Sequence, residues 1–442
     1  MPQPIATLLN ARWIVPVEPE GQVLERHALA IETGRILAIL PQAEAAVRYD
    51  PETCLNLGRH VLLPGLINAH THASMNLLRG FADDLPLMRW LQDHIWPAES
   101  RWVDPEFVRD GSQLAIAEML RGGVTCFNDM YFFPEATAAV ARDCGIRACI
   151  GLIAVDFPTA YARDLDEYLE KGLALHAKLQ AEPRLHTAFA PHAAYTVSGP
   201  ALERIGRLAV ELAIPVHIHL HETAAEIANF QTRHGCRPLA RLEQLGLLSP
   251  RLLAVHMTQI EPAEIDRLAQ AGVHIAHCPE SNLKLASGFC PTARLDAAGV
   301  NVAIGTDGAA SNNDLDLFGE LRAAALLGKG VAGDAAVLPA ARVLRMATIN
   351  GARALGLGAE IGSLEPGKAA DLIAVDLGQP ETEPVYHPIS QLVYATGRHQ
   401  VTDVWVAGQH LLAERRLTTL DLDDILQRAR GWRKKINAGD QA

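Results

Sequence analysis

The seven cysteines (Cys54, Cys126, Cys144, Cys149, Cys236, Cys278 and Cys290) form no CxxC pair, and their number is odd. That pattern excludes a disulfide frame and reads as reduced thiols, mostly core filler, of a cytoplasmic protein. No long run of one charge sign occurs, and the formal net charge is −12. A chain so charged is no natural partner for nucleic acid or an anionic membrane, and small molecules are the expected partners. No apolar run approaches the roughly 18 residues of a membrane span, and the start, MPQPIATLLNARWIVPV, lacks a basic segment followed by an apolar one. Neither an export signal nor a membrane span is expected. Low-complexity segments and repeats of about 20 to 50 residues are also missing.

What the chain does have is size and apolar content. Its 442 residues, 49% hydrophobic, suit a large barrel with a smaller domain attached. Residues 5 to 58 read as short strands with turns, and IGSLEPGKAADLIAVDL (361–377) and VTDVWVAGQHLL (401–412) have the same character. Neither end alone buries enough surface, so both are expected to pair into one small β-sandwich. Between them apolar runs end near His72, Asp129, Ile153, His192, His221, Met257, Pro279 and Asp307, separated by helical stretches opened by Pro or Asp and stopped by Gly. Eight strands alternating with helices predict an α/β fold, a (β/α)8 TIM-like barrel. The expected domains are the sandwich from 1–58 plus 359–415, the barrel from 59–358, and a C-terminal helix from 416–442. The stretch PAARVLRMATINGARALGLG reads as an amphipathic helix that closes the barrel.

The barrel opens on VLLPGLINAHTH, residues 61–72. A strand has period two, so His70 and His72 point to one side, as ligands for a borderline metal would. With 18 histidines in the chain, such a pair could also be two hydrogen-bonded core residues. Recurrence favours the metal: His192, His219 with Glu222, His256 and Asp307 close later strands, at the end where barrel active sites lie. In HIHLH, His217, His219 and His221 share a face, and spacing alone does not choose among them.

PGLINAHTH, HIHLHE, LAVHMTQ and GTDGAASNN, together with GSLEPGKAADLIAVD near the end, resemble the amidohydrolase superfamily over almost the whole chain. Within it the resemblance is to the 5-methylthioadenosine/S-adenosylhomocysteine deaminases, a group related to triazine chlorohydrolases and guanine deaminases. The resemblance makes His70, His72, His219 and Asp307 the ligands of one divalent metal. Three imidazoles and a carboxylate suit Zn²⁺ or Fe²⁺. His219 is preferred because the family pattern places an acid three residues on, here Glu222; His217 and His221 are expected to be structural. Many relatives hold two metals bridged by a lysine at the end of the fourth strand, where this chain reads TAFAPHAAY, so a single metal is expected.

The implied reaction is attack of an activated water on the ring carbon that bears the amino group. Asp307 takes the water's proton, Glu222 protonates a ring nitrogen and then the leaving ammonia, and His256 hydrogen-bonds the nucleophile. The implied substrate contacts are His192 to the purine ring, Glu99 to the ribose diol, Trp90 as a wall for the base, and Arg163. For Trp90 and Arg163, packing and a solvated surface charge are equally good readings; Ser281-Asn282 reads as a structural turn in preference to a pair that shapes the pocket loop. The implied substrate is a small nucleoside: 5′-methylthioadenosine, S-adenosylhomocysteine or adenosine. The alternatives are a deaminase of a free purine or pterin base (guanine, 8-oxoguanine), a chlorotriazine hydrolase, or a non-catalytic scaffold. The architecture's usual assembly makes a homo-oligomer the expectation.

Overall fold

A computed structural model of the protein describes residues 1–440. Eight parallel strands, Leu66–Thr71, Val124–Asp129, Arg147–Ala154, Leu185–Pro191, Val216–Leu220, Leu252–His256, His274–His277 and Asn301–Ile304, lie side by side in chain order. Each ends within three residues of its expected position. The first three are buried at every residue, as strands must be when helices cover one face and packed side chains fill the other.

The barrel closes through backbone contact between its first and last strands. The carbonyl of His70 accepts from the N–H groups of both Thr306 and Asp307, each at 3.1 Å. That approach depends on Gly305, where an added Cβ would stand 2.9 Å from the backbone and Cβ of His70. Closure therefore joins HxH and the GTDG segment directly.

The helices form where local chemistry starts them. Asp104 accepts from Phe107 N–H at 2.8 Å to open Pro105–Arg121, and Asp316 accepts from Phe318 N–H at 3.0 Å to open Leu317–Ala332. The helix expected after the last strand is instead two short ones, Ala340–Met346 and Ile349–Ala354. Between them Ile67 N–H donates to Ala347 O at 2.8 Å and the Thr348 hydroxyl to Leu344 O at 2.7 Å, which takes carbonyls out of the helical ladder. The C-terminal helix, Leu422–Asp440, docks Trp432 edge-on against Phe107, with its indole N–H on Asp110 at 2.9 Å.

Strands from both chain ends share one nine-stranded mixed sheet, in which Tyr49–Pro64 pairs with Gln3–Ile14 on one side and Leu372–Asp376 on the other. The sheet folds over an apolar layer that includes Leu29, Ile31, Leu372 and Trp405, while Ala28 and Ala30 face a second layer by strand alternation. One buried ion pair ties it to the barrel: Arg147, in the third barrel strand, donates to Asp371 at 2.8 and 3.1 Å. Both side chains are 2% exposed. Replacing Arg147 with Met leaves the buried Asp371 carboxylate unpaired, and urea denaturation should show a loss of about 3–5 kcal/mol.

Candidate active site

His70 and His72 come from the first strand and the residue after its end, His219 from the fifth strand, and Asp307 from just beyond the eighth. One ligand atom from each lies within 4.8 Å of all the others. Nε2 of His70 is 3.2 Å from Nε2 of His219 and 3.2 Å from Oδ1 of Asp307, and Nε2 of His72 is 3.2 Å from the same oxygen. Donors set tetrahedrally about an ion at zinc–nitrogen bond lengths would be about 3.3 Å apart, so the group fits one Zn²⁺.

Each imidazole is oriented through its other nitrogen. Nδ1 of His72 donates to Met130 O at 2.5 Å and Nδ1 of His219 to His192 O at 2.7 Å. Nδ1 of His70 lies 2.8 Å from Nε2 of His217, its acceptor. All three Nε2 atoms are thereby turned to the centre. Burial pushes His70 down to about 4 and His219 well below the usual histidine range, so both stay neutral, as ligands must. Burial also opposes charge on His72, but the Asp307 carboxylate beside it outweighs that and lifts it to about 9. Asp307 is buried too, yet the imidazoles of His70 and His72 against it hold it well below the carboxylate range. Its Oδ2 accepts from the hydroxyls of Ser281 and Ser311, both at 2.7 Å.

The structure resolves what period two left open in HIHLH. His217 sits behind His70 and serves it. His221 leaves the strand with φ 52° and accepts from Leu239 N–H at 3.1 Å, away from the metal group. Left-handed backbone recurs at His256 (φ 73°) and Asp307 (φ 60°), so three strand ends at this rim store strain.

Glu222 follows His221, and its N–H and that of His221 donate to the Glu226 carboxylate at 2.6 and 3.2 Å. Burial raises the pKa of Glu222, which favours its acid form. Its Oε1 is 4.0 Å from Nε2 of His256. The His256 ring stacks on His219 with centroids 5.4 Å apart, and its Nδ1 lies 2.9 Å from Oδ1 of Asn282.

These groups line a cavity of about 610 Å³, together with Trp90, Glu99 and His192. His192 keeps Nδ1 on Thr196 Oγ1 at 3.1 Å, and burial pushes it down to about 3, so the ring stays neutral. Trp90 is buried, with its N–H on Ala82 O at 3.1 Å. Glu99 accepts from the Tyr131 hydroxyl at 2.7 Å, and burial pushes it up to about 7. Arg163 requires a correction: it does not line the cavity, its side chain is 83% exposed, and it pairs with Glu167 at 2.8 Å. Glu167, in the first turn of the helix Leu165–Leu179, reaches back past the cap to accept from both the backbone N–H and the guanidinium of Arg163, which leaves the side chain in solvent.

The residue types alone did not reveal Ser281, Asn282, Ser311 and Tyr131 as supports of Asp307, His256 and Glu99. The available signal was position, since Ser281-Asn282 follows the seventh strand at the end where all other site residues gather. If His217 orients His70, His217→Gln should weaken zinc binding by about 10- to 100-fold in chelator competition while the fold is kept.

The amidohydrolase family model matches residues 61–411. A 5-methylthioadenosine/S-adenosylhomocysteine deaminase of Teredinibacter turnerae is 52% identical over 430 residues, 97% of each chain. The crystal structure of an adenosine deaminase from Xanthomonas campestris with bound zinc superposes with a TM-score of 0.98 at 55% identity, covering 99% of this chain and 100% of that one. A zinc complex of an atrazine chlorohydrolase from Arthrobacter aurescens gives 0.89 at 25% identity, over 96% and 99% of the two chains. This chain therefore belongs to the amidohydrolase family, beside the 5-methylthioadenosine/S-adenosylhomocysteine deaminases that match it nearly end to end.

Proposed function

We propose that this protein hydrolytically deaminates adenosine-type nucleosides, namely 5′-methylthioadenosine, S-adenosylhomocysteine and adenosine, to the inosine-type product and ammonia. The observation that carries this is one cavity lined by His72, His219 and Asp307 of the metal group, by Glu222 and His256, and by the half-buried Glu99 carboxylate. Relatives at 52% and 55% identity that are deaminases of such nucleosides support it. The chlorohydrolase shares the fold at only 25% identity. A carboxylate able to accept two vicinal hydroxyls also suits a ribose and has no purpose for a bare base or a triazine.

His70, His72, His219 and Asp307 would hold the zinc, whose Lewis acidity makes water a competent nucleophile near neutral pH. His192 meets the purine ring through Nε2, and Trp90 flanks the base. Glu99 takes the 2′ and 3′ hydroxyls, with the Tyr131 hydroxyl fixing its orientation. Asp307, kept ionised, accepts the proton that water loses. Glu222, with its raised pKa, gives a proton to the ring nitrogen next to the amino-bearing carbon. Oxygen adds to that carbon, the ionised Glu222 takes the added hydroxyl's proton as the carbonyl forms and passes it to the amino group, the C–N bond breaks to release ammonia, and the proton held by Asp307 returns to Glu222. His256, held by Asn282, hydrogen-bonds the developing oxygen centre.

Glu222→Gln should lower kcat by about 10²- to 10⁴-fold with zinc content unchanged, measured by ammonia release and metal analysis. Glu99 accepts with both oxygens only when ionised, and burial pushes it up to about 7, so KM for nucleosides should rise as pH falls through about 7. Glu99→Gln should abolish that dependence and cut nucleoside kcat/KM; a pH series on both proteins checks this, and unchanged nucleoside turnover in the variant would exclude Glu99 from ribose binding.

A further inference from the structure

We infer that the remaining wall of the cavity selects an uncharged, apolar 5′-thioether over a zwitterionic 5′ group; the inference rests on the nucleoside reading above. Among the described residues, no lysine or arginine lines this cavity, and its carboxylates are Glu99, Glu222 and Asp307, already committed to ribose and chemistry. The wall also includes the apolar side chains of Phe132, Phe133, Ile153, Val155 and Phe157. Tyr131 and Phe132 are tilted rings with centroids 5.5 Å apart, and Phe133 meets Tyr161 edge-on at 5.3 Å. A thioether sulfur gains contact energy against such aromatic edges, while a hydroxyl there would lose its water without a replacement partner.

An amino-acid tail on the 5′ sulfur carries an ammonium and a carboxylate. Size does not exclude it, since about 610 Å³ is ample for either ligand. Desolvation disfavours it, since within this cavity the carboxylate meets no cation. Arg163 is turned to solvent and paired with Glu167. Arg233 and Arg241 line a neighbouring cavity that shares Leu87, Trp96, Phe157, Tyr195, Thr196 and Glu222 with the first, but neither arginine lines the first.

Phe133 is also held at φ 51°, ψ 50°, a left-handed conformation costly for a phenylalanine. Strain retained at a cavity wall marks a side chain the site uses. Asn adopts this backbone readily, so Phe133→Asn removes the ring without forcing the turn.

The test is kcat/KM for ammonia release by zinc-loaded protein on 5′-methylthioadenosine, adenosine and S-adenosylhomocysteine. The expected order places 5′-methylthioadenosine about 10- to 100-fold above S-adenosylhomocysteine, with adenosine between them. In Phe133→Asn the advantage of 5′-methylthioadenosine over adenosine should shrink by about tenfold. S-adenosylhomocysteine turned over as well as 5′-methylthioadenosine, or an unchanged ratio in the variant, would overturn the inference and leave the nucleoside reading intact. Refusal of all three nucleosides with turnover of guanine or a chlorotriazine would overturn that reading itself.

Discussion

A small cation needs its donors within a few ångströms of one another, and here they are drawn from residues 70 to 307 of one chain. Barrel closure meets that demand. The backbone of His70 accepts from Thr306 and Asp307, so the same contact that shuts the barrel sets the first histidine beside the last ligand. His219 arrives from the opposite wall on a strand held in register by its neighbours. Metal group and barrel are thus one construction, and whatever loosens the seam at Gly305 loosens the site.

Around that centre the chain accepts costs that a purely structural barrel would avoid. His221, His256 and Asp307 turn off their strands in left-handed backbone, Glu222 and Asp307 are carboxylates taken out of water, and Glu99 is half-buried. Each is compensated locally. Ser281 and Ser311 hold Asp307, Glu226 holds the backbone of Glu222, Tyr131 holds Glu99, and Asn282 holds His256. These neighbours keep reactive groups rigid and give the two key acids opposite tendencies. Asp307 stays ionised between imidazoles, while Glu222 is biased toward its protonated form by burial. A hydrolytic deamination needs one acceptor and one donor of protons at the same moment, and environment rather than residue type divides the work.

Much of this was legible beforehand. HxH at a strand end, HIHLHE, the lone His256 and GTDG announced a metal site at one rim, and the alternation of apolar runs with capped helices announced the barrel. Legibility failed where a three-dimensional neighbour decided the outcome. Arg163 looked available, but Glu167, in the first turn of the helix that follows, captures it. Ser281-Asn282 looked like a plain turn because nothing local shows that Asp307 and His256 lie beside it. The helix after the last strand was interrupted because Ile67, far away in sequence, takes a carbonyl within it.

By itself the sequence determined the fold class, the metal-binding character and the rim on which the chemistry sits, because strand period and ligand type are local properties of consecutive residues. Tertiary structure decided which histidine of HIHLH faces the metal, which groups support each reactive side chain, and which charge is absent from the cavity wall. Those outcomes depend on distances between residues tens to hundreds of positions apart, and only the closed barrel sets them.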